Sequence, residues 1–199
     1  MTAIKASLVK KLREKTGLGM MDCKAALQES SGDIELAITN LRKSSALKAE
    51  KKSSRTAIEG VILSSMNSDL NQVVLLEVNC ETDFVSKDKN FLDFCKKALE
   101  VAEVSDASQD LLEIVDEEMR DIREELIQKI GENVVIRNVL SLQGKIINYY
   151  IHTNRRIGSV VSLKKGNQEV AKNIAMHIAA LNPSVINPRD LTAKFLEQE

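Results

Sequence analysis

The sequence predicts an α+β protein in which a helical head is followed by a core of two related halves. Three observations support this fold class. Apolar residues recur at helical spacing in residues 1–45, and short runs rich in β-branched residues begin near Ala57. The order strand, turn, strand, helix then occurs twice, at 57–103 and at 145–181, which indicates two related α+β units.

The head, residues 1–45, is predicted to contain three short helices. Gly17 ends the first helix, Asp22 is placed to cap the second, and Asp33 is placed to cap the third. The apolar faces of the three helices are Ile4, Leu8, Val9 and Leu12; Cys23, Ala26 and Leu27; and Ile34, Ala37, Ile38 and Leu41. Residues 46–56 are polar, basic and rich in serine, so we expect a linker there, with a helical middle.

The first core half, residues 57–144, is predicted to begin with two strands around the turn Asn67-Ser68-Asp69. Two long helices, at about 83–103 and 109–130, and a strand at 133–142 follow. The second core half, residues 145–199, is predicted to contain strands at 145–152 and 157–163 and a helix through Leu181. A last helix is expected at 188–199.

Charge and aromatic content disfavour one class of function, the binding of single-stranded nucleic acid. Residues 1–55 carry twelve basic and six acidic side chains, a net charge of +6, although the whole chain has a net charge of -1. The chain has no Trp, two Tyr and four Phe. Because binders of single-stranded nucleic acid offer stacking rings and a basic surface, this composition disfavours that class, and we expect no direct nucleic-acid partner.

The cysteines and the N-terminus predict a cytoplasmic protein. Cys23, Cys80 and Cys95 are widely spaced and odd in number, so each is expected to be a small buried apolar residue in a reducing compartment. Residues 1–16 alternate apolar and charged side chains, unlike a secretory signal. No run approaches the ~18 apolar residues that span a bilayer.

The sequence contains none of the common motifs of enzyme active sites. The chain lacks a Walker-type loop, a dinucleotide-binding fingerprint, an HExxH motif and a nucleophile elbow. His177 borders an apolar helical face and is expected to be partly buried, whereas His152 follows a strand beside Arg155 and Arg156. The sequence predicts neither a metal site nor a cofactor, and no catalytic residue of its own.

One segment joins a buried strand to a helix, and it contains Phe84. Asp83 is placed to cap that helix, and Phe84 would lie in its first turn. Phe84 shares its helical phase with Phe91 and Cys95, which favours a core position. The alternative is an exposed anchor for a partner, and the residues alone leave both open.

Four motifs in this chain resemble the bacterial elongation factor Ts family, and the resemblance extends over the whole length in order. They are Lys11–Lys24 (KLREKTGLGMMDCK), Asp33–Ile38 (DIELAI), Glu77–Val85 (EVNCETDFV) and Lys129–Asn133 (KIGEN). The resemblance implies a head similar to the ubiquitin-associated three-helix fold. It also implies a guanine-nucleotide exchange factor for the GTPase elongation factor Tu, acting in translation without catalytic chemistry of its own.

The resemblance also implies which residues contact the partner. In the family, a Thr-Asp-Phe-Val segment enters the GTPase near its Mg²⁺ site, and here this segment is Thr82, Asp83, Phe84 and Val85. A histidine of the second core half contacts the partner too, and His152 matches it by position. The contact surface of the head is expected around Lys10, Leu12, Met20 and Met21.

The chain differs from the family pattern at its C-terminal end. Family members continue past the position of Glu199 with a helical hairpin, a further core strand and a last helix. The second core half is therefore expected to expose a sheet edge, which either permits self-association as a homodimer or indicates that the sequence is a shortened form. The alternative function, from another class, is an RNA- or ribosome-binding adaptor that uses the basic head. An enzyme built on His152 and a carboxylate has no supporting motif.

Overall fold

The computed structural model describes residues 4–105 and 110–187 and divides the chain into two compact units. The first unit contains the residues up to Ser65 together with Val74–Leu140, and the second contains Met66–Val73 and the residues from Ser141 onward. Helices and small sheets together confirm the α+β class.

Three helices begin the first unit: α1 (Ala6–Thr16), α2 (Met20–Glu29) and α3 (Ile34–Lys52). Gly17 ends α1 with a φ of 67°, a left-handed conformation that glycine adopts without steric cost. Asp33 caps α3 as predicted, because its carboxylate accepts the N–H groups of Glu35 and Leu36. The cap predicted at Asp22 is wrong. Gly19 precedes α2, and the Asp22 carboxylate instead lies 3.1 Å from the Lys48 ammonium.

The helices of the head enclose their own apolar cluster. The buried members of the cluster are Val9, Leu12, Leu18, Cys23, Ala26, Leu27, Ala37 and Leu41. The predicted apolar faces of α1, α2 and α3 therefore form this core. Leu18, from the turn between α1 and α2, was not predicted to belong to it.

The basic segment 46–56 is part of the folded first unit. Helix α3 continues through it to Lys52, and Ser45 packs against α6 with its hydroxyl next to the amide of Gln128. Beyond the helix, the buried Asn133 side chain donates to the carbonyls of Ser53 (3.4 Å) and Arg55 (2.9 Å). Beyond the helix end, the backbone of the segment is thus held at two carbonyls by the Asn133 side chain.

A three-stranded sheet with the order β1-β2-β3 forms the next layer. Its strands are β1 (Glu59–Met66), β2 (Gln72–Cys80) and β3 (Val134–Gln143). Gly60, in β1, has a φ of 151°, and a Cβ there would overlap the carbonyl oxygen of Val78. Glycine at this position therefore allows β1 to approach β2 closely.

Helices α4 (Lys89–Val104), α5 (Leu111–Glu118) and α6 (Arg120–Ile130) belong to the first unit as well. The predicted second long helix is broken at Met119, and the Arg123 guanidinium pairs with the Asp116 carboxylate across the break. The helices and sheet share one apolar core, whose largest buried members include Phe91, Phe94, Leu76, Val78, Met119 and Val134.

The second unit repeats the order strand, strand, helix. Strands β4 (Ile147–Ile151) and β5 (Gly158–Ser162) pair antiparallel, with Tyr149 opposite Val160, and α7 (Gln168–Leu181) follows. Asn167 caps α7 by accepting the N–H of Val170 at 2.9 Å. The helix predicted at 188–199 lies outside the described residues.

The predicted burial of the cysteines is confirmed, since Cys23, Cys80 and Cys95 are all free thiols and all buried. Among residues 4–105 and 110–187, no helix combines the length and apolarity needed to cross a membrane.

Candidate functional site

The candidate site is the exposed turn that connects β2 to α4, residues Glu81–Asp88. The prediction that Asp83 caps this helix is wrong: Asp88 is the N-cap and accepts the N–H groups of Asn90 (2.8 Å) and Phe91 (3.3 Å). Between Asp83 and Asp88 the chain forms one 3₁₀ turn, Val85–Lys87. The helical phase that linked Phe84 to Phe91 is therefore interrupted.

The Phe84 ring is 82% exposed, although aromatic side chains are normally well buried. The interpretation of Phe84 as a core residue is wrong. The next two residues, Val85 and Ser86, are buried, and Val85 packs against the core of the first unit. The turn thus directs one large apolar ring outward from a buried base.

Local hydrogen bonds define the shape of this turn. The Ser86 N–H donates to the Thr82 carbonyl (3.2 Å), and the Ser86 hydroxyl donates to the Asp83 carbonyl (2.8 Å). The Val85 N–H donates to the Thr82 hydroxyl at 3.4 Å. Every one of these bonds spans the backbone on which Phe84 lies, so the direction in which its side chain leaves the backbone is fixed.

Two glutamates connect this turn to the turn between α6 and β3. The Glu132 carboxylate accepts the N–H groups of Glu81 (3.1 Å) and Thr82 (3.0 Å) and the Thr82 hydroxyl (2.7 Å). In return, the Glu81 carboxylate accepts the N–H of Asn133 at 2.7 Å. We call this arrangement the glutamate clamp.

Basic groups from the end of α3 offset the charge of the clamp. The Arg55 guanidinium lies 3.6 Å from the Glu81 carboxylate, whose side chain is only 22% exposed. Burial and the Arg55 charge lower the pKa of the Lys52 ammonium, while Glu81 and Glu132 oppose that change. Cationic side chains from the end of α3 thus lie close to the carboxylates of the clamp.

The remaining side chain of the Thr-Asp-Phe-Val segment is that of Asp83. Its carboxylate pairs with the Lys87 ammonium at 2.8 Å, and both side chains are largely exposed. Such a solvent-exposed pair contributes little to stability.

The predicted contact residues of the head divide into exposed and buried ones. Met20 and Met21, at the start of α2, are 58% and 74% exposed, and Lys10 on α1 is exposed beside Glu14. Leu12 is fully buried in the cluster of the head. We correct the prediction there: Leu12 supports the surface from below, and its side chain is not available for contact.

His152 belongs to the second unit, where it follows β4. It is exposed, its ring makes an edge contact with Tyr150 at a centroid distance of 6.3 Å, and its Nδ1 accepts the N–H of Asn154 at 3.4 Å. His177 on α7 is also exposed, so the expectation of a partly buried imidazole is wrong. It lines an apolar groove with Val170, Ile174 and Leu181.

The sequence reasoning missed the glutamate clamp and Asn133. Nothing in the sequence pairs Glu81 with Glu132, because the two residues lie far apart in the chain and both resemble ordinary surface acids. The available signal was indirect: Glu81 lies in the motif Glu77–Val85, and Glu132 and Asn133 lie in the motif Lys129–Asn133, but the motifs do not show that these residues meet. Within the described part of the chain, no cluster of His, Cys, Asp or Glu could hold a metal ion.

Comparisons with known proteins bear on this site. The family model described as "Elongation factor TS" matches residues 81–199, which include the turn. A protein named elongation factor Ts from Marinobacter nauticus is 49% identical over 199 residues, covering all of this chain and 68% of that protein. Relatives of the same name from Teredinibacter turnerae and Escherichia coli O139:H28 are 50% and 47% identical, and the chain covers 68% and 69% of their lengths.

Proposed function

Since this chain belongs to the elongation factor Ts family, we propose that it is a guanine-nucleotide exchange factor for elongation factor Tu. In this role it binds the GTPase during translation elongation in the cytoplasm and promotes the release of GDP. The observation that supports the proposal best is the 82% exposed Phe84 ring on a turn with a buried base.

The proposed mechanism acts on the Mg²⁺ and phosphate site of the partner. A GTPase holds its nucleotide through backbone N–H groups, a lysine and a bridging Mg²⁺. Insertion of Phe84 beside the loops that support Mg²⁺ displaces them, and the loss of that stabilisation lets GDP leave faster. Reciprocity requires that GDP weaken the binding of the factor by the same free energy.

This role requires no nucleophile, base or cofactor in the exchange factor. It requires an apolar anchor that is fixed before binding, because ordering a loop at the interface reduces affinity. Thr82 and Val85 provide the fixed backbone, Asp83 precedes Phe84 and pairs with Lys87, and Phe84 is the anchor.

Further contacts come from elsewhere in the chain. Lys10, Met20 and Met21 offer one basic and two flexible apolar side chains on the surface of the head, which suit a docking surface on a protein. His152 offers an exposed ring in the second unit. These contacts supply affinity, whereas Phe84 supplies the displacement of the Mg²⁺ site.

The test measures release of a fluorescent GDP analogue from elongation factor Tu with the full chain and with Phe84→Ala. We expect Phe84→Ala to lower the acceleration about tenfold or more, as for the loss of a ~2 kcal/mol hot spot. Val104→Ala is the matched control, because Val104 is an apolar side chain that is 85% exposed on α4. The proposal fails if the unmodified chain does not accelerate release, and the role of Phe84 fails if both variants act like the unmodified chain.

A further inference from the structure

Both carboxylate oxygens of Glu132 accept hydrogen bonds from the two residues that precede Asp83. One carboxylate oxygen accepts two backbone N–H groups, those of Glu81 and Thr82, and the other accepts the Thr82 hydroxyl at 2.7 Å. We propose that Glu132, which lies on a different turn, is a positioning residue that fixes the Phe84 ring for nucleotide exchange. This inference rests on the proposed function.

The Thr82 hydroxyl transmits this constraint toward Phe84. A hydroxyl has one proton to donate, and here the proton goes to Glu132. Its lone pairs are then directed away from Glu132, and one of them accepts the Val85 N–H, which begins the 3₁₀ turn. Phe84 lies between Thr82 and Val85, which this hydroxyl connects, so the direction of its backbone depends on the carboxylate of Glu132.

The reverse bond makes the constraint rigid. Glu81 accepts the N–H of Asn133 at 2.7 Å, while Glu132 accepts the N–H of Glu81 at 3.1 Å. Rotation of either turn breaks bonds in both directions. The Arg55 guanidinium, 3.6 Å from the Glu81 carboxylate, adds an ion pair to the same arrangement.

The alternative is that the glutamate clamp only stabilises the fold. The two roles differ in their coupling to Phe84. If Glu132 acts by placing the ring, its removal has no further effect on exchange once the ring is absent, because residues that act as a unit are not additive. If Glu132 only stabilises the fold, its loss and the loss of the ring act independently.

The experiment uses the full chain and five variants: Glu132→Ala, Glu132→Gln, Phe84→Ala, the double variant Glu132→Ala with Phe84→Ala, and Glu103→Ala. Glu103 is an exposed acid in the last turn of α4, roughly 20 Å along the helix from the turn that bears Phe84. The measurements are the maximal rate of GDP release, the half-saturating factor concentration, and amide hydrogen exchange at Glu81, Thr82 and Val85. Glu132→Gln keeps the side-chain volume and one acceptor oxygen, so it serves where Glu132→Ala does not fold.

We expect Glu132→Ala to lower the maximal release rate about tenfold but no further than Phe84→Ala does, because its effect passes through the ring, and Glu132→Gln to lower it less. The half-saturating concentration should change less than the rate, because the other proposed contacts remain. The double variant should match Phe84→Ala, Glu103→Ala should match the unmodified chain, and the three amides should exchange faster without Glu132.

Additive losses in the double variant, or an unchanged rate in folded Glu132→Ala, overturn the positioning role. A chain without any exchange activity overturns the proposed function instead. In that case hydrogen exchange still tests whether Glu132 fixes the backbone of the turn. Unchanged protection of the Val85 amide in both Glu132 variants contradicts that role, and lost protection supports it.

Discussion

The Phe84 ring is 82% exposed, whereas the side chain of its neighbour Val85 is only 9% exposed and packs into the core of the first unit. The 3₁₀ turn accounts for this contrast, because successive side chains point about 120° apart around such a turn. The same few residues therefore provide a fixed base and a free apolar ring. Stability and partner binding are thereby assigned to different side chains.

Replacement of Phe84 should have little effect on stability. We expect Phe84→Ala to change the free energy of unfolding by no more than about 0.5 kcal/mol, since the ring contributes little buried area. Phe91→Ala, on the fully buried ring of α4, should lower it by about 3 to 5 kcal/mol. Urea denaturation of the two variants measures the difference, and a comparable loss in both would show that the Phe84 ring packs against the protein.

The cap of α4 gives a second prediction, which depends on pH. Burial raises the pKa of Asp88, but hydrogen bonds from Asn90 and Phe91 and the charge of Lys129 lower it more, so the pKa lies below its ordinary value. The ionised carboxylate therefore stabilises the folded state above pH 3.8, and this contribution is lost as the pH falls below that value.

Two substitutions at Asp88 separate the cap from the charge. We expect Asp88→Ala to lower the free energy of unfolding by about 1 kcal/mol at pH 7. Asp88→Asn should retain most of the cap and lose the contribution that varies with pH. Urea denaturation at pH 7 and pH 3 tests both statements, and an identical pH dependence in Asp88→Asn and the unmodified chain would contradict the role of the charge.

The buried thiols predict a loss of stability in alkali. Burial, followed by the charge of Glu132, raises the pKa of Cys80 to about 12, and burial raises the pKa of Cys95 as well. From pH 9 upward the unfolded chain loses thiol protons that the folded chain retains. The free energy of unfolding should therefore fall by about 1.4 kcal/mol per pH unit for each such thiol.

Denaturation between pH 8 and pH 10 measures this slope. Cys80→Ala should be less stable than the unmodified chain at pH 8 and should show a shallower slope above pH 9. A slope that is unaffected by Cys80→Ala would mean that the thiol ionises equally well in the folded and unfolded chains.

Gly60 should tolerate no side chain. A Cβ at this position meets the Val78 carbonyl oxygen and lies 2.8 Å from the Asn79 Cα, and these backbone atoms cannot rotate away. We expect Gly60→Ala to lower the free energy of unfolding by about 3 kcal/mol or more, from overlap and from strain at a φ of 151°. Gly131→Ala, at a φ of 90° with an open surrounding, should lower it by about 1 to 2 kcal/mol. Equal effects in thermal denaturation would contradict the overlap at Gly60.

Local rules sufficed to predict much of the fold. The left-handed end of α1 at Gly17 and the cap of α3 at Asp33 follow from the chemistry of single residues, and both are confirmed. Asp22 and Asp83 satisfy the same rule in sequence and do not cap, because Gly19 and Asp88 begin those helices. Among several acceptable caps, the tertiary contacts of the helix select one.

The candidate site was predicted through the family motif and not through periodicity. The helical spacing of the sequence places Phe84 on the same face as Phe91. This holds only if one continuous helix contains both residues, and the 3₁₀ turn between them interrupts that helix. The link between Glu81 and Glu132 depends on two turns that meet only in the folded chain. Burial of Leu12 follows from its place on the apolar face of α1, and that periodicity outweighs the expectation of a contact role there.

The two hydrogen bonds from the Asn133 amide to the carbonyls of Ser53 and Arg55 affect the entropy of association. A head on a loose tether would reach a partner with an effective concentration set by the length of the tether. Here the segment is ordered when the chain folds, so its conformational entropy is lost before any partner arrives. A partner that contacts both the head and the Phe84 turn therefore binds one compact unit, and the second contact requires no further ordering of the segment that joins them.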